Sequence, residues 1–292
     1  MTACRSNPWW CPPPTRSGSP TGCSKPASPR SRSARSSTPA RCRRWRTRTG
    51  WPRSCGPASL HTLVFNERGA RRALDAGARH VRLTVSASDG HSRANAGVPT
   101  REALDRLRPA VELLSAAKVQ LEATVATAFV CPFDGETPPA DVVDLARSLA
   151  GFGISVLHLA DTIGAASPWH IRRTVTAVRR ELPDLPLGLH LHNTYGMASA
   201  NAWEALHLGI RRFDAALGGV GGCPFAPGAA GNMATDDLVN LCHHAGIATG
   251  VDVDRLVTLR AELQALLGRK LTSALAAVPS APAPLRATEV PG

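Results

Sequence analysis

The sequence predicts an α/β protein, a (β/α)8 barrel whose first two βα units are missing or garbled, which leaves an open remnant of six strands. Three observations support this. Short apolar runs alternate with helical segments from about residue 60 onward, no hairpin signal separates them, and 292 residues suffice for one large domain. Six strands are two short of a closed barrel. An open doubly wound sheet is the alternative, but no glycine-rich dinucleotide loop follows any strand.

The first half of the body shows the alternation clearly. LHTLVF is an apolar strand, and ERGARRALDAGA has helical spacing and closes on Gly77 as a C-cap. HVRLTVSAS is the second strand. We expect Thr100 to be the N-cap of one long amphipathic helix, REALDRLRPAVELLSAAK, which leads into the strand VQLEATVATAF.

The second half repeats the pattern. Helices near 139–152 and 168–182 lead into the strands ISVLHLAD and LPLGLHLH, and a helix near 198–208 precedes the strand RRFDAALGG and a final helical region. Parallel βα units are therefore implied. We expect a barrel domain over residues 59–277 and a disordered Pro- and Ala-rich tail over residues 278–292.

The first 58 residues differ from the rest in composition. They hold 12 Arg and Lys without any Asp or Glu, five of the eight Cys and four of the six Trp. The chain's net charge of +12 therefore belongs to this segment, and the neutral body gives no sign of nucleic-acid binding. The widely spaced Cys131, Cys223 and Cys242 fit a reducing, cytoplasmic location. No run of about 18 apolar residues occurs, so we expect no membrane span.

Residues 1–58 have three interpretations: a disordered basic arm, a processed leader, or a coding region read in the wrong frame. The third is favoured because CRRWRTRTGWPRSC, reread one base earlier with GC-rich codons, can become the amphipathic VPQMADADGLAAEL. The same rereading can supply DGLQ, which would follow the first missing strand, and EVGSF, which would form the second. Sequencing the gene tests this, since a single-base slip near residues 55–60 must separate the two frames.

His190 and His192 lie at positions i and i+2 of one predicted strand, which places both imidazoles on the same face. In a barrel, polar side chains at the carboxyl ends of strands mark the site of the chemistry. The pair can bind a divalent metal, or both rings can be buried histidines that are hydrogen-bonded to the backbone. On spacing alone, both interpretations stay open.

Longer motifs make the interpretation specific. HLHNTYGMASANAWEAL and GGVGGCPFAPGAAGNMATDDL resemble the 3-hydroxy-3-methylglutaryl-CoA lyase family, and VSASDGHSRANAG, ATAFVCPFDG and LADTIGAASP agree with it. The resemblance runs in order from about residue 60 to residue 277. Other barrel lyases and synthases share the HxH metal strand, and the cysteine-containing glycine loop distinguishes this family from them.

The resemblance implies that His190, His192 and Asn232 bind Mg²⁺ or Mn²⁺, a choice that suits two imidazoles and an amide oxygen. In the family, the fourth ligand is an Asp in a first-strand RDGLQ motif, beside a catalytic Arg. This sequence contains no such motif. Because that Arg would stabilise the enolate oxygen, we expect the chain as written to be a poor or inactive enzyme.

The resemblance also implies a lid loop that closes over the substrate, with the residues Gly221, Gly222, Cys223 and Pro224. Cys223 would take part in proton transfer, although a free Cys is more often a small buried residue. Its neighbouring motif favours the catalytic role.

Two further positions carry expectations. His190 would act as the general base or position it. Asp161 would be a catalytic residue near the metal, although its carboxylate can instead cap the next helix. Cys131 is interpreted as structural, and Asp236 as a helix N-terminal charge or a support for the site.

The implied reaction is cleavage of 3-hydroxy-3-methylglutaryl-CoA, or a close analogue, to acetyl-CoA and acetoacetate, by a homodimer that binds no nucleic acid. Two alternatives stay open. A related HxH aldolase or acyl-CoA-condensing synthase would lack the cysteine loop. An inactive barrel with a basic nucleic-acid-binding arm would bind DNA in a salt-sensitive way that is lost on deletion of residues 1–58.

Overall fold

A computed structural model describes residues 61–221 and 231–277. The strands in these ranges are β1 (His61–Val64), β2 (His80–Ser86), β3 (Gln120–Ala126), β4 (Val130–Cys131), β5 (Gly135–Glu136), β6 (Leu157–Asp161), β7 (Leu187–Leu191) and β8 (Phe213–Asp214). The helices are α1 (Glu67–Asp75), α2 (Asp89–Ala96), α3 (Thr100–Asp105), α4 (Arg108–Ala116), α5 (Pro139–Ala150), α6 (Pro168–Glu181), α7 (Ala198–His207), α8 (Thr235–His244) and α9 (Val253–Leu267). Short 3-10 helices cover Leu217–Gly219 and Ala274–Ala277. The predicted basic segment and the predicted tail lie outside the described residues.

The main sheet has six strands in the order β1-β2-β3-β6-β7-β8, and each strand pairs in parallel with its neighbours. The six strands predicted from the sequence are therefore confirmed. A doubly wound sheet reverses its strand order at a switch point, whereas this order follows the chain throughout. The alternative of a doubly wound sheet is wrong.

The sheet is strongly curled. Arg82 on β2 contacts Asp214 on β8 at 2.5 Å, although three strands lie between them. In a flat sheet, four strand spacings of about 4.8 Å would separate these positions by about 19 Å, which is beyond the reach of an Arg side chain. The contact is possible only across a concave face, so the six strands form an open part of a barrel.

The two faces of the sheet differ in chemistry, as the alternation along β2 shows. Val81, Leu83 and Val85 are almost fully buried and belong to one core cluster with apolar residues of the surrounding helices. The intervening Arg82 and Thr84 are partly buried on the opposite, concave face. The hydrophobic core therefore lies between the convex face and the helices, and polar groups line the concave face.

The helix predicted after Thr100 is wrong in two respects. The segment forms two helices, α3 and α4, and the N-cap of α3 is Pro99. Pro109 lies at the start of α4, and because proline has no N–H, it cannot continue the hydrogen-bond ladder of α3. The backbone N–H of Thr100 is satisfied from elsewhere, by Oδ1 of Asp89 at 2.9 Å.

Other local predictions are close to the structure. Helix α1 begins after Asn66, whose side chain accepts a hydrogen bond from the N–H of Gly69 at 3.0 Å. Its C-cap is Ala76, so the closing Gly77, at φ +74°, lies one residue beyond the cap. Helix α2 and the small antiparallel hairpin β4–β5 were not predicted. Within the described ranges, no helix is long and apolar enough to cross a membrane.

Candidate active site

The predicted histidine pair lies at the carboxyl end of β7. His190 is opposite Ala160 of β6 and Asp214 of β8 in the sheet register, and His192 follows the last residue of the strand. Their ring centroids are 5.0 Å apart, with the ring planes at 78°. About a third of the His190 side chain is exposed, whereas His192 is buried. The alternation of the strand therefore places both imidazoles at one site.

Both imidazoles use the same ring nitrogen for a bond within the protein. Nδ1 of His190 lies 3.2 Å from Oδ2 of Asp214, and Nδ1 of His192 donates to the backbone carbonyl of Asp161 at 2.9 Å. Metal-binding histidines show this pattern, in which an oxygen acceptor fixes the tautomer and leaves Nε2 for the metal. Burial lowers the pKa of His192, so its ring is neutral at neutral pH, as a metal ligand must be.

The third predicted ligand, Asn232, lies beside the pair. It forms an antiparallel bridge with His192, and the N–H of Met233 donates to the carbonyl of Leu191 at 2.9 Å. The amide nitrogen Nδ2 of Asn232 donates to the carbonyl of Val220 at 3.0 Å, which leaves the amide oxygen for a ligand. The structure thus brings the three predicted ligands together, each with its cation-binding atom not used in these bonds.

This donor set fits a divalent cation but does not complete its coordination. In residues 61–221 and 231–277, no three His, Cys, Asp or Glu side chains form a group that could hold a metal ion. Two imidazoles and one amide oxygen suit Mg²⁺ or Mn²⁺ only with further oxygen ligands, from water, substrate or a carboxylate. The resemblance to the family leads us to expect that carboxylate from a first-strand Asp, a residue that the motifs of this sequence do not supply.

Asp161 ends β6 and is fully buried. Both of its carboxylate oxygens accept from the N–H of Ala166, at 3.2 and 3.3 Å. Helix α6 is capped by Ser167, which forms a capping box with His170, so the interpretation of Asp161 as the cap of this helix is wrong. Burial raises the pKa of Asp161 to about 7, although the backbone hydrogen bonds and His190 act in the opposite direction. The catalytic role of Asp161 stays a prediction.

A polar network on the concave face was not predicted. The guanidinium of Arg82 bridges Oε2 of Glu122, at 2.9 and 3.0 Å, and Oδ2 of Asp214, at 2.5 Å. Its Nη2 lies 2.9 Å from Nε2 of His158. One signal could have revealed the network: polar residues at every second position of HVRLTVS mark an inward face, which in a barrel is usually apolar.

The pKa values of the network follow from burial and charge. Burial and the nearby Arg82 lower the pKa of His158 to about 4, so this ring is neutral at neutral pH. Burial by itself would raise the pKa of Asp214, but the hydrogen bond from His190 and the charges of Arg82 and of His158, which is protonated in the acid range where Asp214 titrates, outweigh it and lower the pKa. Asp214 is therefore a firmly ionised carboxylate beside His190.

The glycine loop is described only in part. Gly222, Cys223 and Pro224 of the predicted lid lie outside the described residues. Gly221 has φ +119°, and a Cβ at this position would clash with Nδ2 of Asn232. Glycine is needed here because the backbone of Gly221 lies directly against Asn232, a predicted metal ligand.

Two residues near the loops have clear contacts. Oδ1 of Asp236 accepts from the N–H of Gly218 at 2.9 Å, which anchors the start of the glycine loop to α8. The buried sulfur of Cys131 accepts from the hydroxyl of Ser88 at 2.8 Å and from the N–H of Phe133 at 3.3 Å. Both sets of contacts hold the neighbouring loops in place, which is a structural role.

Comparison with known proteins agrees with this geometry. The family model HMGL-like matches residues 56–262. The chain is 43% identical over 209 residues to (R)-citramalyl-CoA lyase of Chloroflexus aurantiacus, with 72% of this chain and 66% of that protein covered. It is 37% identical over 211 residues to a hydroxymethylglutaryl-CoA lyase of Bacillus subtilis, with 72% and 71% covered. The chain thus spans about two thirds of the length of these curated relatives.

Solved structures give the same picture. An HMG-CoA lyase from Acinetobacter baumannii, in complex with coenzyme A and 3-methylmalate, is 41% identical, with a TM-score of 0.71 over 80% of this chain and 74% of that one. The carboxyl transferase domain of Rhizobium etli pyruvate carboxylase is 16% identical, with a TM-score of 0.55 over 72% of this chain and 35% of that one. At that identity, the second likeness concerns the fold alone.

Proposed function

The chain belongs to the HMGL-like family, and we propose that it is a metal-dependent carbon–carbon lyase that releases acetyl-CoA from a tertiary 3-hydroxyacyl-CoA. The observation that carries the proposal is that His190 and His192 have the same pattern of hydrogen bonding. Both rings engage an oxygen through Nδ1, beside the free amide oxygen of Asn232. Two histidines that served only the core would not need to leave both Nε2 atoms unused beside a residue whose amide oxygen is also unused.

We propose 3-hydroxy-3-methylglutaryl-CoA as the substrate, with citramalyl-CoA as the second candidate. The two acyl groups have the same tertiary alcohol and the same thioester methylene, and they differ by one methylene before the free carboxylate. Relatives named for each substrate match at similar levels. One methylene in a pocket changes specificity by only about 10- to 200-fold, so a clear preference for either acid needs a measurement.

The proposed reaction breaks the bond between the carbinol carbon and the thioester methylene. The hydroxyl loses its proton to a base, the bond's electron pair moves to the acetyl-CoA enolate, and the carbinol carbon becomes the ketone of the acid product. A divalent ion held by His190, His192 and Asn232 would lower the cost of forming the alkoxide. If Nε2 of His190 binds the ion, it cannot also accept the proton. The general base is then another group, which His190 positions.

The enolate must regain a proton at its methylene carbon. We assign this step to Cys223, from its place in the glycine loop and the resemblance to the family; the residue lies outside the described part of the chain. Asp161 is a second acid or base candidate, because a carboxyl group with a pKa of about 7 can carry a proton at neutral pH. Its full burial and its bonds to Ala166 favour a supporting role.

Two versions of the protein test the proposal. The 292-residue chain and a version with residues 1–58 restored to the shifted frame, with an Arg added directly before DGLQ, are each incubated with Mn²⁺ and with either acyl-CoA. We expect the restored version to release acetyl-CoA together with acetoacetate or pyruvate, and the chain as written to be about 100- to 1000-fold slower for want of the first-strand Arg. EDTA should abolish both activities. A restored version that folds and binds Mn²⁺ but releases no acetyl-CoA would contradict the proposed function.

The same assay separates the alternatives. An aldolase or a condensing synthase would act on 2-oxo acids, or on acetyl-CoA with a 2-oxo acid, and would leave both acyl-CoA substrates intact. The nucleic-acid-binding arm consists of residues outside the described ranges and is tested by DNA binding with and without residues 1–58. The homodimer stays a prediction, which light scattering of the purified protein can check.

A further inference from the structure

Arg82 is held on the concave face of β2 by contacts to three other strands. Only 12% of its side chain is exposed. Its Nε and Nη2 donate to Glu122 on β3, its directly paired neighbour in the sheet register, and its Nη1 donates to Asp214 on β8. Its Nη2 also lies 2.9 Å from Nε2 of His158 on β6. A buried guanidinium must have such partners, because it cannot lose its charge. The hydrogen bonds to Glu122 therefore hold the guanidinium of Arg82 in a fixed position.

Asp214 is less firmly held by its own strand. β8 has only two residues, and within the described part of the chain it pairs with β7 alone. The side chain of Asp214 is 29% exposed, so free space is available for it to rotate. The guanidinium of Arg82 supplies the restraint that the short strand does not.

One oxygen atom joins the two halves of this arrangement. Oδ2 of Asp214 accepts from Nη1 of Arg82 at 2.5 Å and lies 3.2 Å from Nδ1 of His190. A carboxylate can only accept when it is ionised, so the His190 proton lies on Nδ1 and leaves Nε2 as the metal-binding nitrogen. If this carboxylate rotated away, neither the tautomer nor the ring orientation of His190 would still be fixed.

We propose that Arg82 is a positioning residue for the metal-binding imidazole of His190, and that it acts by holding the carboxylate of Asp214. This inference rests on the proposed metal site. Arg82 hydrogen-bonds to Glu122, Asp214 and His158 and to none of the three proposed ligands, and it lies 132 residues from Asp214 in the sequence. A merely structural Arg82 would neutralise two carboxylates and affect stability without influencing His190.

The full chain, labelled with ¹⁵N-histidine and free of metal, tests the proposal. Long-range ¹H–¹⁵N spectra at pH 8 report the tautomer of each ring, and the signal lost in His190→Gln identifies His190. We expect the wild-type ring to carry its proton on Nδ1, and Arg82→Met to show a mixture of tautomers. A matched control is Arg172→Met, which removes an exposed ion pair with Glu204 and should leave the His190 signal unchanged.

Binding of Mn²⁺ alone gives the second readout. We expect Arg82→Met to weaken the Kd for Mn²⁺ by about 10- to 100-fold, as for other groups that orient a ligating histidine, and Arg82→Lys to weaken it less. A variant with a lower melting temperature but with the wild-type tautomer and a Kd within twofold would overturn the proposal. If Arg82→Met does not fold, Arg82→Gln, which removes the charge but keeps a polar side chain, decides: a shifted tautomer population supports the proposal, and a wild-type spectrum overturns it.

Failure of the proposed function would look different. A wild-type chain that binds no Mn²⁺ contradicts the metal site, but the tautomer of His190 in the metal-free protein still decides whether Arg82 positions the ring. A frame-restored chain, with the first-strand Arg, that binds Mn²⁺ and cleaves neither acyl-CoA contradicts the reaction alone. The two proposals can therefore fail separately.

Discussion

His192 donates from Nδ1 to the backbone carbonyl oxygen of Asp161 at 2.9 Å, and this bond joins the end of β7 to the end of β6. A carbonyl oxygen can only accept, so the bond fixes the proton on Nδ1 and leaves Nε2 without one. The second imidazole of the pair is thus oriented by main chain, whereas the first is oriented by the carboxylate of Asp214. The two rings should therefore respond differently to substitution of their neighbours.

Metal binding should depend on His192. Replacement His192→Ala removes a proposed ligand, so we expect the Kd for Mn²⁺, measured by titration calorimetry, to weaken by more than the roughly 10- to 100-fold effect of losing a supporting group. The control His207→Ala alters an exposed histidine on α7 and should bind as the wild type does. Unchanged affinity in a folded His192→Ala protein would remove this residue from the site.

Loss of the carboxylate at Asp161 should change how stability depends on pH. Its pKa is about 7 in the folded protein, against an ordinary value of 3.8 for an aspartic acid side chain. The folded state thus binds more protons between these values, and the free energy of unfolding should fall as pH rises through 7. Relative to wild type, metal-free Asp161→Asn should gain about 2 to 3 kcal/mol between pH 5 and pH 8.

Urea unfolding at several pH values measures this difference. Asp144→Asn on the surface of α5 serves as the control and should run parallel to wild type. A difference between Asp161→Asn and wild type that does not vary with pH would show that Asp161 is ionised throughout this range.

The buried ring of His158 should change the pH dependence of stability in the direction opposite to that of Asp161. Its pKa is lowered from 6.5 to about 4, first by burial and then by Arg82, so the unfolded chain takes up a proton before the folded protein does. This contribution to stability is complete above pH 6.5 and is lost as pH falls toward 4. Through this group, wild type should lose about 2 kcal/mol of its free energy of unfolding between pH 7 and pH 5, and His158→Gln should not. Urea unfolding of both proteins at the two pH values measures the difference. An equal loss in both proteins would contradict the assignment.

Gly188 should tolerate no side chain. A Cβ there would lie 2.6 Å from Nδ1 of His158, whose ring is buried and held by Arg82. We expect Gly188→Ala to lower the free energy of unfolding by about 1 to 3 kcal/mol. Gly69→Ala, in helix α1, is the control, since the added Cβ would make only ordinary contacts at 3.4 Å or more.

The double variant Gly188→Ala/His158→Ala tests the cause of that loss. If the clash with the ring is responsible, the double variant should be less destabilised than the sum of the two single variants. Strict additivity would mean that the alanine strains the backbone of β7 instead.

Proton return should require Cys223. In the frame-restored protein, Cys223→Ser should lower kcat by about 100- to 10,000-fold, because a hydroxyl is a far weaker acid than a thiol at neutral pH. The Kd for Mn²⁺ should stay as in wild type, since Cys223 is not a proposed ligand. Cys242→Ala, in the buried face of α8, is the matched thiol control and should keep its activity. Equal activity of both variants would exclude Cys223 from the chemistry.

Local patterns predicted much of this fold. Short apolar runs between helical segments located all six strands of the main sheet, and the i, i+2 spacing placed His190 and His192 on one face. These features depend on residues close together in the chain. The prediction of a single long helix after Thr100 is wrong because Pro109, at the start of α4, interrupts the hydrogen-bond ladder.

The sequence by itself determined the alternation of strands and helices, the histidine pair and the family motifs, since periodicity and short spacings fix them. Only the tertiary structure decided which groups orient that pair. Arg82, Glu122 and Asp214 lie on three strands far apart in sequence, and the carbonyl that orients His192 belongs to the backbone. They meet because the sheet curls, and curvature is a property of all six strands that no single segment of the sequence expresses.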